Sequence, residues 1–278
     1  MKLKKALPPG RSLEQVKNHY LVEKSLARRL MAASREQRKA IYGTMYDELF
    51  SKVPDHPRLR RRESRELTAK ANMQKLALVS SFLEVDSVFL EFAPGDCQFA
   101  IQVAQQVGRV IGVDISDQRI ADLECPKNFE LVIYDGYSLD AIKDISIDVL
   151  FSDQLIEHFH PEDVELHFSL AYGILKPGGK YVLRTPHVST GPHDVSQFFS
   201  DEPEGFHLKE WTYIELRELL MHIGYAKVDC YWLGKGKTVL LPFRYFSAVE
   251  KILRHLPKAR ARSIARYLIP EIFMVAQK

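Results

Sequence analysis

The 278-residue sequence has no run of about 18 uncharged apolar residues, so no membrane-spanning helix is expected. Cysteine is scarce. Cys97, Cys125 and Cys230 are scattered, odd in number and form no C-x-x-C pair. Neither a disulfide framework nor a zinc cluster is therefore expected, and a reducing compartment fits. No G-x-G-x-x-G turn is present, which weighs against a dinucleotide. There is no internal repeat and no low-complexity segment. The basic start, Met1-Lys2-Leu3-Lys4-Lys5, runs into Pro8-Pro9-Gly10 rather than an apolar core. Secretion is not expected, and the reading is a cytoplasmic protein.

Charge is abundant but unevenly placed. The net charge of +3 hides a basic first segment, with 19 Lys+Arg against 8 Asp+Glu in residues 1–75. An acidic middle follows, with 10 against 26 in residues 76–234, and then a basic stretch, with 9 against 1 in residues 235–269. Basic ends that neutralise an acidic core explain this most simply; contact of the basic helices with an anionic surface is the rival.

The first 83 residues read as helices. Ser12-x-x-Gln15 and Ser34-x-x-Gln37 have the form of capping boxes. Ile41, Met45 and Leu49, with Tyr42, Tyr46 and Phe50 beside them, make one broad apolar helix face. Pro54 and Pro57 break it. The run Arg58, Arg60, Arg61, Arg62 leads into a further helix through Leu83. From Ser87 the pattern alternates between strands and helices. Strands are predicted over 87–92, 109–114, 129–134, 147–152, 180–185, 225–233 and 271–277. Helices separating the first five imply an α/β fold with a mostly parallel sheet. We expect a helical basic extension over 1–75 and an α/β domain over 76–278, with a helical insertion at 239–269. In that insertion Val249, Ile252, Leu253 and Leu256 give an apolar face, and Arg254, Lys258, Arg260, Arg262 and Arg266 a basic one.

Four successive strands run into carboxylates. The first ends Glu91-Phe92-Ala93-Pro94-Gly95-Asp96-Cys97, a tight turn opening a helix. Glu91 before that turn would repel a pyrophosphate and suits a ligand with a cationic amino group. The second ends at Asp114, placed to accept from both hydroxyls of a ribose. The third ends at Asp135-Gly136, where a carboxylate can accept from an exocyclic amine. The fourth runs through Ser152-Asp153-Gln154-Leu155-Ile156-Glu157-His158. Parallel sheets bind ligands beyond such strand ends.

Together with Leu175-Lys176-Pro177-Gly178-Gly179, these segments resemble a class I S-adenosylmethionine-dependent methyltransferase of the type 11 group, over roughly residues 70–233. The resemblance implies a Rossmann-like, seven-stranded, mostly parallel sheet with an antiparallel last strand. It implies S-adenosylmethionine as cofactor, with Glu91 and Gly95 at its methionine end, Asp114 at the ribose and Asp135 at the adenine. Ile115, Gly136 and Asp153 complete the expected contacts. Ala93 and Cys97 stand where the family often has glycine.

The expected reaction is methyl transfer to a small molecule at a hydroxyl oxygen, a sugar or glycan unit or a phenol. Candidate bases are His158, expected to start the helix after the fourth strand, and His193 and His207 in the long loop after the fifth, with His187 a further candidate. A base at His158 would make turnover rise through about pH 6.5. Asp153, Glu157 and His158 could also hold a divalent ion, but a hydrogen-bonded Glu157–His158 pair is the simpler reading, and no metal is expected. The rivals are a methyltransferase acting on a macromolecule, a nicotinamide-dependent oxidoreductase, and a non-catalytic module binding nucleic acid through its basic segments. No stable nucleic-acid complex is expected.

Overall fold

Side-chain caps start the first two helices where the sequence places them. Ser12 and Ser34 each accept from the backbone of the residue three positions on, and Gln15 and Gln37 reach back to close both capping boxes. The computed structural model describes residues 1–62, 64–119, 124–234 and 236–278, and of the basic run the side chains of Arg61 and Arg62 lie outside the described residues. Helices α1 (Leu13–Ala32) and α2 (Arg35–Lys52) are followed by α3 (Pro57–Arg62) and α4 (Arg65–Val79). The single helix expected through Leu83 is thus two helices and a closing 3-10 turn at Ser80–Phe82.

The α/β region follows. Strands β1 (Val88–Phe92), β2 (Arg109–Asp114), β3 (Phe129–Ile133), β4 (Ile147–Asp153) and β5 (Leu175–Pro186) are parallel. Helix α5 (Gln98–Val103) joins β1 to β2, and α6 (Val164–Ile174) joins β4 to β5. Then come α7 (Tyr213–Ile223), β6 (Lys227–Gly234), β7 (Lys237–Leu241), α8 (Phe243–Leu253), α9 (Lys258–Leu268) and β8 (Glu271–Gln277). The sheet order is β3-β2-β1-β4-β5-β8-β6-β7, with β8 antiparallel to β5 and β6, and β7 antiparallel to β6. Eight strands therefore replace the expected seven. The additional one is β7, which pairs with β6 from Gly234↔Lys237 to Cys230↔Leu241. The segment expected to be a wholly helical insertion begins with this hairpin strand and only then forms α8 and α9.

Alternation along each strand sorts the core into two layers. Phe89, Val110, Phe151 and Val182 pack with Leu78 and Val79 of α4 and Phe99 of α5. Leu90, Ile111, Leu150 and Leu183 pack with Phe168 of α6, Leu216 and Leu220 of α7, and Phe246 of α8. The strand order reverses at β1, whose neighbours are β2 and β4. A crevice beyond the carboxyl ends of strands forms at such a point.

The N-terminal helices close that crevice. Leu26 and Leu30 of α1 pack with Met45 and Leu49 of α2, against Phe206, Ile115 and Tyr137. Polar contacts fix the same seat. Asp163 receives Arg38 through Nε and Nη2, both at 2.8 Å, and the Tyr137 hydroxyl at 2.8 Å. Lys39 of α2 lies 2.5 Å from Asp135. Helix α4 runs across the boundary expected at residue 75.

Candidate active site

Each strand end contributes differently to the crevice. Glu91 of β1 is buried, and its Oε1 accepts from Lys75 Nζ of α4 at 2.9 Å. Its Oε2 is buried with no hydrogen-bond partner. Burial pushes the Glu91 carboxyl up, against the pull of Lys75. Burial alone would pull Lys75 down, but Glu91 and Asp153 hold it above the usual lysine range. The turn after β1 is left-handed at Ala93 (φ 52°), Gly95 (φ 61°) and Cys97 (φ 62°). Only Gly95 takes that conformation freely; Ala93 and Cys97 carry the strain that glycine would avoid.

Asp114 ends β2 and is also buried. Its Oδ2 accepts from the Gly95 amide at 3.1 Å, and its Oδ1 from the amides of Ile115 at 2.8 Å and Ser116 at 3.4 Å. Burial pushes its carboxyl up, and those three backbone donors work against the shift. Three of the four lone-pair sites are thus taken, and Oδ2 keeps one that can accept a ribose hydroxyl. Asp135 lies two residues past β3, accepts from the amides of Tyr137 at 2.8 Å and Ser138 at 2.9 Å, and pairs with Lys39. Gly136, rather than Asp135, lines the cavity beside Asp114 and Ile115.

Two adjoining cavities lie beyond these strand ends. The first is lined by Ala93, Asp114, Ile115 and Gly136, and by the aromatics Tyr42, Tyr46, Tyr134, Tyr137 and Phe159. Five of its lining residues are aromatic, a lining that suits a planar base. The second is lined by Arg58, Asn72, Lys75, Asp96, Asp153, Gln154 and Arg184. Ala93, Asp114, Leu155, Tyr46 and His158 line both. Asp153 is held by Arg184 through Nε at 2.6 Å and Nη2 at 2.9 Å. The Arg58 guanidinium lies over the Tyr46 ring, 5.1 Å from its centroid. No hydrogen bond or ion pair of that guanidinium is found among the described residues.

The histidines divide into distinct roles. His158 closes a 3-10 turn, Ile156–His158, six residues ahead of α6, and so does not start that helix as expected. Its Nδ1 is 2.9 Å from the Phe206 carbonyl oxygen, which makes Nδ1–H the donor. Burial, with His207 and Arg58 nearby, pushes His158 down to about 3. The ring is neutral at neutral pH, so the rise in turnover expected near pH 6.5 does not follow for it. His158 and Glu157 do not pair with each other: Glu157 Oε2 accepts from the Thr185 hydroxyl at 2.9 Å, and its Oε1 has no partner. Burial pushes Glu157 up to about 7.

His207 meets His158 edge-on, with ring centroids 5.1 Å apart, and its Nδ1 lies 2.8 Å from Glu210 Oε1. Burial would lower it, yet Glu210, Glu157 and Asp194 hold it up at about 9. His193 pairs with the other oxygen of Glu210 at 3.2 Å and lines neither cavity. His187 is fully buried and bonds Glu250 of α8 at 2.8 Å, which ties the loop to the domain. Of the long loop, Phe206 and His207 thus reach His158 without lining either cavity, while Asp194 gathers the amides of Ser196, Gly205 and His207 to shape the loop. Asp153, Glu157 and His158 do not converge as a set. Glu157, His158 and His207 do.

Sequence reasoning missed Lys75, Arg184 and the tyrosines. Tyr42 and Tyr46 were visible as a helix face, but nothing local said that this face would roof a cavity.

Residues 90–183 match the family model described as a methyltransferase domain. Phosphoethanolamine N-methyltransferase 1 of Triticum aestivum is 28% identical over 127 residues, 44% of this chain and 25% of that protein. The fold is similar to a S-adenosylmethionine-dependent methyltransferase from Archaeoglobus fulgidus, with TM-score 0.54 and 20% identity over 79% of this chain and 98% of that one. It is also similar to Haemonchus contortus phosphoethanolamine N-methyltransferase 2 in complex with S-adenosyl-L-methionine, with TM-score 0.52 and 21% identity over 74% of this chain and 52% of that one. The chain spans about a quarter of the wheat protein and about half of the nematode chain. With the strand-end carboxylates, the reversal of strand order at β1 and the aromatic cavity in place, residues 90–183 match a methyltransferase domain within a fold similar to that of S-adenosylmethionine-dependent methyltransferases.

Proposed function

We propose that this chain transfers a methyl group from S-adenosylmethionine to a hydroxyl oxygen of a small molecule bound in the cavity lined by Arg58, Gln154 and His158. The observation that carries the reading is the pairing of two features at one crevice. Glu91 Oε2 is a buried carboxylate oxygen without a partner at the end of β1; Glu91 itself lines neither cavity, but the Lys75 it holds lines the second. His158 is a neutral imidazole whose donor nitrogen is already committed, and its ring lines both cavities.

The cofactor, when bound, supplies an electrophilic methyl on a sulfonium. The chain's own residues do the rest. Glu91 and Gly95 hold the amino-acid end, Asp114 the ribose, and the aromatic cavity lined by Tyr42, Tyr134 and Tyr137 the base. Helices α1 and α2 keep water from the crevice. The acceptor is aligned for in-line displacement, and a proton leaving its hydroxyl is taken at His158 Nε2 as the oxygen–carbon bond forms and the carbon–sulfur bond breaks.

A second reading is favoured by Arg58. The wheat and nematode relatives are phosphoethanolamine N-methyltransferases, and a guanidinium without a carboxylate partner at the cavity suits a phosphorylated amine. The test is a panel of hydroxyl and phosphorylated-amine acceptors with methyl-labelled cofactor, read by mass spectrometry of the product. A methyl on oxygen supports the first reading, and a methyl on nitrogen replaces it with the second. Absence of S-adenosylhomocysteine binding by calorimetry would remove both.

A further inference from the structure

Glu157, His158 and His207 reach one point from two distant segments. One ligand-capable atom of each lies within 4.8 Å of those of the other two. The second polar atom of each is already occupied. Thr185 holds Glu157 Oε2, the Phe206 carbonyl holds His158 Nδ1, and Glu210 holds His207 Nδ1. What remains is Glu157 Oε1 and the two Nε2 atoms. Glu157 is fully buried, and its Oε1 has no hydrogen-bond partner. Its backbone is fixed as well, because the Leu208 and Lys209 amides both donate to the Glu157 carbonyl at 2.8 and 3.3 Å. Outer partners of this kind orient imidazole and carboxylate ligands around metals.

We propose that Glu157, His158 and His207 form a binding site for one divalent transition-metal ion beside the acceptor cavity. Two imidazoles and a carboxylate favour a first-row transition ion over magnesium or calcium, which take oxygen donors. Three protein ligands leave a coordination position open. Since His158 lines both cavities, that position opens toward the acceptor. The chemistry of this site rests on the methyl-transfer reading above but changes the part of His158. With an ion bound, its Nε2 is a ligand rather than the proton acceptor, and a hydroxyl at the open position becomes more acidic, its proton leaving to solvent as the oxygen–carbon bond forms and the carbon–sulfur bond breaks. The neighbouring cluster of His19, Glu23 and His56 lacks such free donors. Arg11 and Glu23 occupy both nitrogens of His19, and Glu23 Oε2 accepts from the Phe206 amide.

Cobalt(II) is the probe for the test, added to chelator-treated full-length protein without cofactor or acceptor. One ion per chain is expected, with visible ligand-field absorption and competition by zinc. His207→Gln and Glu157→Gln should each weaken binding by more than the roughly 10–100-fold that loss of an outer partner costs, and Glu210→Gln by about that factor. S-adenosylhomocysteine affinity serves as the folding check. Should both ligand variants misfold, Glu210→Gln and the wild-type spectrum decide the matter. No stoichiometric cobalt in wild type overturns the site, as does binding lost in His56→Gln but kept in His207→Gln. Metal binding needs no acceptor, so the ion can be found where methyl transfer fails, and methyl transfer can persist where the ion is absent.

Discussion

Asp114 and Glu157 are buried carboxylates at or just past the ends of β2 and β4, the two strands that flank β1, and they are held in opposite ways. Asp114 takes backbone amides from Ile115 and Ser116, next to it in sequence, and from Gly95 in the adjoining turn. Glu157 takes a hydroxyl from Thr185 and faces His207, 50 residues on, with one oxygen unpartnered. The first is a self-contained turn that any chain with this strand-turn-helix sequence can build. The second exists only once β5, the long loop and the turn after β4 have met. On the proposed assignment the cofactor half is made largely by local turns and the acceptor half by assembly, so they should respond differently to mutation.

The largest separation is expected from His158→Ala. Loss of a group that activates the acceptor costs about 10²–10⁴-fold in rate. Turnover should fall by that order while S-adenosylhomocysteine affinity, measured by calorimetry, changes little. A near-normal rate in a folded variant would end the role of His158 and erase the contrast.

Asp163→Asn tests whether the roof of the crevice is assembled too. It leaves the Arg38 guanidinium, 2% exposed, with only the exposed Glu162 at 3.4 Å as a carboxylate partner. Breaking a buried pair by removing one partner costs about 3–5 kcal/mol. A loss near the lower end is expected by urea denaturation, because asparagine keeps the shape. The pH dependence has a definite sign. Arg38 and Tyr137 hold the Asp163 carboxyl below its ordinary value despite burial. Its contribution is complete above the unfolded value of about 3.9 and disappears as pH falls through the lower folded value. Wild type should lose stability more steeply below about pH 4 than Asp163→Asn, and parallel curves would contradict the pairing.

Asp114→Ala sharpens the cofactor half. Charge-assisted hydrogen bonds of about 1.5–3 kcal/mol each imply at least a roughly tenfold weaker S-adenosylhomocysteine complex. Unchanged affinity in calorimetry would remove Asp114 from the ribose site.

The smallest effect is predicted for Ala93→Gly. A left-handed alanine carries about 1–2 kcal/mol of strain, and glycine returns about 0.4–1 kcal/mol of it as added freedom of the unfolded chain. Ala93 is exposed at the crevice, so little packing is lost. A net gain below about 1 kcal/mol should appear as a small rise in melting temperature; a fall would mean that the methyl group makes a contact of its own.

Much of this protein was determined by the sequence alone, because the physics involved is short in range. Two capping boxes start α1 and α2 at the residues expected, since a serine and a glutamine three positions on suffice to satisfy a helix start. Apolar runs set the parallel core of the sheet, although among the described residues helices separate only β1 from β2 and β4 from β5 rather than all of the first five strands as expected. The turns after β1 and β2 placed Gly95 and Asp114 together. The edge strand β7 escaped notice because Lys237–Leu241 is short and exposed, stabilised by pairing with β6 rather than by burial. Tertiary structure alone decided which polar groups share a space. Glu157 passed over its neighbour His158 for Thr185, His207 came to it from a loop gathered by Asp194, and Arg38 found Asp163 across 125 residues. Such pairings depend on where packing brings distant backbones, and a buried charge takes whatever partner the fold has placed within reach.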